Sequence, residues 1–393
     1  MNDRFSEADR RFMAQAMRLA EQGRGATSPN PVVGAVLVKG GKVIARGFHR
    51  RAGLPHAEIE ALAQLGMRAP GATLYVTLEP CCHHGRTGPC TEKILASGVR
   101  RIVVGCCDEN PLVSGRGIAL LKRAGLRVDA GCLKDECRQQ NRSFFSWVKN
   151  KRPWVTMKVA STLDGCIGDR QEKGRQGRER WITGSRSRQA AHALRAEHDA
   201  ILVGVGTILA DDPKLTVRLP GPAAKMRKGT LRVVLDSHLR TPLTAALFAQ
   251  ARAKAPLIIA AKPRNPGSRP ESGLVSRQRK LEAAGAEVWF APASRDGRPV
   301  LSSVLRQLAL REVQSVLVEG GSQIHGAFVA AGLVDAVALF LAPRLVGSGV
   351  PIVEGPGLDW RKPATLGPIS VRALGDDILL TADVVNRGRR HRP

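Results

Sequence analysis

The residues of this chain most able to do chemistry lie in TLEPCCHHGRTGPC (77–90) and in the triplet His56-Ala57-Glu58 upstream of it. One imidazole (His56) and two thiolates (Cys81 and Cys90) suit a Zn²⁺ ion, with the fourth tetrahedral position left to water. A zinc ion lowers the pKa of that water towards ~7, which makes a hydroxide nucleophile available at neutral pH. Glu58 follows His56 too closely to share the ion with it, and it has the chemistry of a general base beside the metal. An HAE triplet or a Pro-Cys pair carries little alone. The two in this order, one after a hairpin and the other after a strand, specify a metal site. Cys82, His83 and His84 are rival ligands, but adjacent residues rarely point at one ion.

The pattern H-x-E … P-C … C is that of the zinc deaminases, in which the glutamate shuttles a proton from water to the ring nitrogen and on to the departing ammonia. Two residues separate the cysteines in the common form of that signature, whereas eight do here (90 − 81 − 1 = 8). All eight cysteines lie at or before Cys166, and in a chain without a secretory leader such clustering favours metal or catalysis over disulfides. Cys106, Cys107, Cys132 and Cys137 sit in apolar or helical contexts and read as buried thiols.

These residues need a scaffold. FSEADRRFMAQAMRLAEQG (5–23) has helical spacing, with Ser6 as N-cap and Asp9 three residues on. Two β-rich runs around Gly40-Gly41 predict a hairpin over 32–49. A helix over 56–66, a strand over 72–78, a helix starting near Cys90, a strand over 100–106 and a helix over 115–125 follow. If His56 and Cys90 open their helices, the helix dipoles favour the thiolates. Composition turns basic around 147–154, which predicts one domain over 1–150 and a second over 151–386, with a disordered basic tail at 387–393.

The second half alternates strands (154–162, 200–206, 231–237, 257–262, 286–291, 315–321) with helices, so it too reads as α/β. It has no G-x-G-x-x-G. Its glycine-rich pieces, VGVGTILADDP (203–213) and VEGGSQIHGAF (318–328), each follow a strand, and the second opens a helix near Ser322. Free N–H groups there suit a phosphate, although glycine after a strand is more often only a tight turn.

The charge of +27 favours anionic partners, either nucleic acid or small phosphorylated substrates. Aromatics are only 4 %, with one Tyr, which argues against a stacking platform for single strands. No run is long and apolar enough to span a membrane, and the N-terminus lacks the apolar centre of a signal peptide. The cytoplasm is the expected location.

PNPVVGAVLV (29–38), HRRAGLPHAEIEAL (49–62), TLYVTLEPCCHHGRTGPC (73–90) and DENP (108–111) resemble the deaminase domain of the bifunctional riboflavin-biosynthesis deaminase/reductases. MKVASTLDG (157–165), ERWITG (179–184), GTILADDPKLTVR (206–218), LDSHLRTP (235–242) and LVEGGSQIHGAF (317–328) resemble the reductase domain of the same family. The resemblance implies a cytidine-deaminase-like α/β/α sandwich followed by a dihydrofolate-reductase-like α/β domain. It implies zinc-hydroxide deamination of 2,5-diamino-6-ribosylamino-4(3H)-pyrimidinone 5′-phosphate. NADPH reduction of the ribosyl group then gives 5-amino-6-ribitylaminouracil 5′-phosphate. Asn30, His49, Arg86, Asp108 and Asn110 would meet the first substrate, with His49 and Arg86 on the phosphate. The cofactor would be met by Ala160, Trp181, Thr207, Asp211, Ser237 and the turn Gly321, Ser322, Gln323, Ile324, His325, Gly326 and Ala327. Lys158, Arg195, Leu215, Arg218 and Glu319 would meet the second substrate. The family forms homo-oligomers. This sequence departs from it at Gly88, where proline is usual, and at Glu179, where a serine that touches substrate is common.

Two other readings compete. A tRNA deaminase with an RNA-binding second domain is favoured by the charge and disfavoured by the long inter-cysteine loop. A non-catalytic zinc-structured protein is disfavoured by Glu58, since a structural site takes four protein ligands and needs no base.

Overall fold

The computed structural model describes residues 4–83, 88–111, 113–169, 181–219, 229–249, 254–262, 272–355, 357–359 and 361–385. His84, Arg86, Glu179 with the rest of 170–180, and the tail 387–393 lie outside the described residues. The chain divides into two compact units, Met1–Arg152 and Pro153–Pro393.

The first unit runs α1 (Glu7–Glu21), β1 (Gly34–Lys39), β2 (Lys42–Phe48), α2 (Ala57–Ala63), β3 (Thr73–Leu78), α3 (Cys90–Ala96), β4 (Arg101–Cys106), α4 (Arg116–Arg123), β5 (Arg127–Ala130), α5 (Lys134–Gln140) and α6 (Arg142–Asn150). Ser6 and Asp9 form the predicted capping box at the start of α1. Gly40 and Gly41 take φ of 55° and 74°, the paired left-handed conformation that closes a tight hairpin between β1 and β2. The sheet order is β2-β1-β3-β4-β5, with β1 antiparallel to its neighbours and β3, β4 and β5 parallel.

Alternate residues of these strands face opposite cores. Leu37, Leu74, Val76 and Ile102 pack against Leu62 of α2, Ile94 of α3 and Leu121 of α4. Val36, Tyr75 and Val103 pack against Phe12 and Met13 of α1 and Phe144 and Phe145 of α6. The result is the expected α/β/α sandwich. A charge network ties it together: Arg101 donates to both Asp9 oxygens at 2.7 and 3.2 Å and to Asp129 at 2.8 Å, while the Tyr75 hydroxyl donates to Asp9 at 2.8 Å.

The second unit runs β6 (Trp154–Thr162), β7 (Cys166–Gly168), α7 (Ser185–Glu197), β8 (Ala200–Gly204), α8 (Val205–Asp211), β9 (Leu231–Leu235), β10 (Leu257–Ala261), α9 (Ser272–Ala283), β11 (Glu287–Ala291), α10 (Leu301–Leu310), β12 (Ser315–Val318), α11 (Ser322–Ala330), β13 (Ala336–Ala342), β14 (Val350–Pro351), β15 (Thr365–Leu366), β16 (Ser370–Leu374) and β17 (Asp377–Val385). Its main sheet runs β11-β10-β9-β8-β12-β6-β13-β17, parallel as far as β13, after which β17 turns antiparallel. β12 ends at Val318, beside Met157 of β6 and Leu202 of β8, and both flanking strands run on past it. A notch is left at the carboxyl edge of the sheet, where ligands of open α/β sheets bind.

Several expectations need correction: the strands predicted over 231–237 and 315–321 stop at Leu235 and Val318. The strand predicted over 200–206 stops at Gly204, because the chain turns there into α8. Cys107 is exposed and not buried, since it follows the last residue of β4 and leaves the sheet.

Gly47 of β2 lies directly under α2: a Cβ there would stand 2.2 Å from the Ala57 carbonyl oxygen and 2.6 Å from the Ala61 nitrogen. Gly47→Ala therefore forces α2 off the sheet. It should lower the unfolding free energy by about 1–3 kcal/mol, read from the denaturant midpoint at constant slope.

Candidate active sites

His56 is the N-cap residue of α2, and Cys90 is the first residue of α3. Cys81 follows β3 after Glu79 and Pro80. The His56 Nδ1 lies 3.2 Å from the Cys90 Sγ and 3.5 Å from the Cys81 Sγ, and the Cys90 N–H donates to Cys81 Sγ at 3.3 Å. All three donor atoms fall within 4.8 Å of one another, and no other such group of His, Cys, Asp and Glu occurs among the described residues. Cys82 and His83, the rival ligands that are described, take no part. A nitrogen and two sulfurs at this spacing match the preferences of zinc.

The electrostatics agree. A hydrogen bond from Cys90 draws the Cys81 thiol down to about 4 against the cost of burial, with His56 adding to it. The same bond and burial push Cys90 up, and the bond to Cys81 raises His56. Protons are thus shared within the triad, and a metal entering it displaces them. Glu58 is 3 % exposed, and burial raises its carboxyl above the ordinary range, so this group readily holds a proton.

Around the triad, the His49 ring stands edge-on to His56 with centroids 5.2 Å apart. Its Nδ1 meets the Pro55 carbonyl at 3.1 Å and its Nε2 meets the Asn30 amide at 3.0 Å. With Nδ1–H donating to Pro55, Nε2 is an acceptor, and burial keeps the ring neutral. His49 as placed orients Asn30 and holds no free N–H for a phosphate. Asn141 fixes the same loop, accepting from the Val32 N–H and donating to the Val32 carbonyl, both at 2.9 Å. Asp108 is 8 % exposed, and burial lifts its carboxyl to about 6 while the Asn110 N–H, donating at 2.8 Å, opposes the shift.

In the second unit the notch gathers three expected residues. Arg195 of α7 grips Glu319 with two parallel bonds of 2.6 and 2.9 Å, and the Lys158 ammonium of β6 lies 3.5 Å from the same carboxylate. Arg195 also donates to the Thr216 carbonyl at 3.0 Å. Burial alone would raise Glu319, yet Lys158 and Arg195 hold it down at about 2. Arg218 donates to His192 at 3.3 Å, and the charges of Arg195, Arg218 and Glu319 all act on that imidazole. The Leu215 side chain is buried in a core cluster, which leaves its backbone as the part able to meet a ligand. Ala160, like Ala190, Ala191 and Leu194 of α7, packs against the cluster of Ala338, Phe340 and Leu379.

Thr207, Asp211, Ser237 and the run 321–327 follow the carboxyl ends of β8, β9 and β12, three consecutive strands of the sheet, whereas Ala160 lies within β6 and Trp181 precedes α7. Gly204 and Gly320 both face Ile324, and a Cβ on either would come within 2.7 or 2.6 Å of it. Gly321, by contrast, opens on space, with only the Thr207 Oγ1 at 4.0 Å. Within 321–327, Ser322 donates to Glu354, His325 is buried against the Ile352 carbonyl, and Gly326 abuts the Glu354 backbone. The first-turn N–H groups of α11 are what this run can offer a phosphate. Ser237 is half-buried after β9, Asp211 is exposed at the end of α8, and Trp181 is exposed with the Arg188 guanidinium 5.1 Å over its ring. Sequence reasoning passed over Glu79, a buried carboxylate inside the quoted motif, and His192, the partner of Arg218. A glutamate at the end of an apolar strand was the available signal for the first.

The first unit has the layout and metal triad of a zinc-dependent deaminase domain, and residues 6–106 match the cytidine and deoxycytidylate deaminase zinc-binding region. Residues 153–380 match the RibD C-terminal domain. The chain is 39 % identical over 374 residues to the riboflavin biosynthesis protein RibD of Aquifex aeolicus, covering 95 % of this chain and 98 % of that one. It is 35 % identical to RibD of Escherichia coli, with 95 % and 98 % covered. Acinetobacter baumannii RibD superposes with a TM-score of 0.83 at 33 % identity, over 97 % of this chain and 99 % of that one. A deaminase/reductase structure from Thermotoga maritima gives 0.80 at 34 %, over 96 % and 99 %. The chain belongs to the RibD family.

Cys81→Ser should lower zinc content well below one ion per chain, measured by elemental analysis, while secondary structure by circular dichroism persists. Because Glu319 is ionised in the fold well below the usual 4.5, its contribution to stability is complete above pH 4.5 and is lost as pH falls towards 2. Unfolding free energy measured across that window should fall less steeply in Glu319→Gln than in the unmodified protein.

Proposed function

We propose that the chain catalyses two consecutive steps of riboflavin biosynthesis, deamination in the first unit and NADPH-dependent reduction in the second. The observation that carries this reading is the buried Glu58 carboxyl set against the His56, Cys81 and Cys90 triad, in a chain that also holds the Lys158–Glu319–Arg195 cluster.

The first substrate is 2,5-diamino-6-ribosylamino-4(3H)-pyrimidinone 5′-phosphate, which loses its ring 2-amino group. His56, Cys81 and Cys90 would hold a zinc ion, which would supply an activated water. Glu58 would take a proton from that water and pass it to the ring nitrogen, then take the second proton from the hydroxyl left on the ring carbon and give it to the amino group as it departs as ammonia. Asn30, held by His49, and Asp108 and Asn110 fix the pyrimidine. Arg86 is assigned to the phosphate.

In the second step NADPH, when bound, would supply a hydride for the anomeric carbon of the ribosyl group. Lys158 gives a proton to the ring oxygen as its bond to that carbon breaks, leaving an open ribityl chain. Glu319 holds the Lys158 ammonium in place, and Arg195 holds Glu319. The first turn of α11 would receive cofactor phosphate, with Thr207 next to it, and Asp211, Ser237 and the backbone of Ala160 and Trp181 would complete the site. Arg218 and the backbone of Leu215 complete the substrate side. The partner is this small phosphorylated pyrimidine and no nucleic acid, the assembly is a homo-oligomer, and the location is the cytoplasm. No helix among the described residues is long and apolar enough to cross a membrane.

A single tube with the diaminopyrimidinone phosphate, NADPH and zinc-loaded protein should release ammonia first and consume NADPH after it. Tight, salt-sensitive tRNA binding without either signal would instead support the nucleic-acid reading. Glu58→Gln should keep its zinc and lose about 10²–10⁴-fold in ammonia release, with NADPH oxidation on the deaminated intermediate unchanged. Lys158→Met should show the reverse pattern.

A further inference from the structure

Glu79 has no part in the chemistry described so far, yet it is 4 % exposed and lies at the end of β3, two residues before Cys81. A carboxylate buried to that degree must be met by donors. Three backbone N–H groups meet this one: Asp108 at 3.2 Å and Gly115 at 2.9 Å on Oε2, and Ile118 at 3.2 Å on Oε1. Asp108 and Gly115 are the two ends of the loop between β4 and α4, so one carboxylate clamps both ends. Within the loop Asp108 accepts from the Asn110 N–H at 2.8 Å, and the Asn110 carbonyl accepts from Val113 at 2.8 Å and Ser114 at 2.9 Å.

The third bond explains why the group is an acid. The N-cap of α4 is Gly115, which has no side chain to cap the helix, and Ile118 is the residue whose N–H a local cap would satisfy. Glu79 supplies that cap from another strand, with a charge of the sign that a helix start favours. The fit is close, since a Cβ on Gly117 would stand 2.1 Å from the Pro80 carbonyl oxygen.

We propose that Glu79 is a positioning residue for the deamination, holding Asp108 and Asn110 against the pyrimidine while touching neither metal nor substrate. This rests on the deaminase reading above. The strand end that delivers Cys81 also sets the loop that reads the base, so ligand and recognition loop keep a fixed relation.

The test is steady-state ammonia release by Glu79→Ala and Glu79→Gln in the full-length, zinc-loaded protein, with zinc content and NADPH oxidation on the deaminated intermediate measured on the same samples. In Glu79→Ala, KM for the pyrimidine should rise at least tenfold with zinc still at one per chain and reductase turnover intact. Glu79→Gln retains one acceptor oxygen and should show a smaller rise. In the Asn110→Ala background, Glu79→Ala should add less than twofold, because the loop it orders has lost the contact. Unchanged kinetics in Glu79→Ala would overturn the proposal. So would zinc loss in step with activity, or effects that multiply in the double variant. If Glu79→Ala does not fold, the same criteria apply to Glu79→Gln. An unmodified protein that releases no ammonia would refute the deaminase reading itself, an outcome separate from any behaviour of the variants.

Discussion

A buried charge must find its counterpart inside the protein, and both sites of this molecule are arrangements of buried charge. In the first unit two thiols, an imidazole and the Glu58 carboxyl crowd together at the starts of α2 and α3, where helix N–H groups favour negative charge. In the second, Glu319 is surrounded by Lys158 and Arg195 at the end of β12. Leaving one such group unpaired costs far more than the pair contributes. Each cluster therefore dictates where the strands around it stop and where the helices begin.

The two halves reach this by different backbones. The first places its chemistry where helices begin, and Gly47 lets α2 approach the sheet closely enough to bring His56 to the cysteines. The second places its chemistry past the ends of parallel strands, where the side chains of β6 and α7 converge on a residue that follows β12. Asp9, Arg101, Asp129 and Tyr75 form a comparable buried network in the first unit, joining α1 to β3, β4 and β5.

The metal triad was legible because ligand chemistry restricts residue type and spacing, and the strands and helices carrying it have strong periodicity. Lys158, Arg195 and Glu319 were legible only through resemblance, since their partnership spans β6, α7 and the end of β12. The role of Glu79 was not legible, because its partners are backbone N–H groups, which any residue carries. His49 read as a cation for phosphate, while burial and the Pro55 carbonyl make it a neutral orienting group. The reading also ended its strands at 321. β16 alternates over only a few residues, polar Ser370 and Arg372 with Val371 and Ala373, and four of its five residues are exposed, Val371 at 64 %. α5 is short and largely polar, burying only Cys137 and Gln140, so it too lacks a periodic stripe.

The early end of β12 has a consequence for how the second unit tolerates change. Its depth is set by strand length, with β6 and β8 as walls and Glu319 as the floor. Apolar exchanges that keep the volume of Val316 or Val318 alter the packing beneath that floor and leave its level where it is. One residue inserted into β12 would reverse the alternation of side chains beyond it, sending Glu319 to the opposite face of the sheet from Lys158. The reductase half is thus governed by a measurement of length, tolerant of exchanged letters and intolerant of added ones.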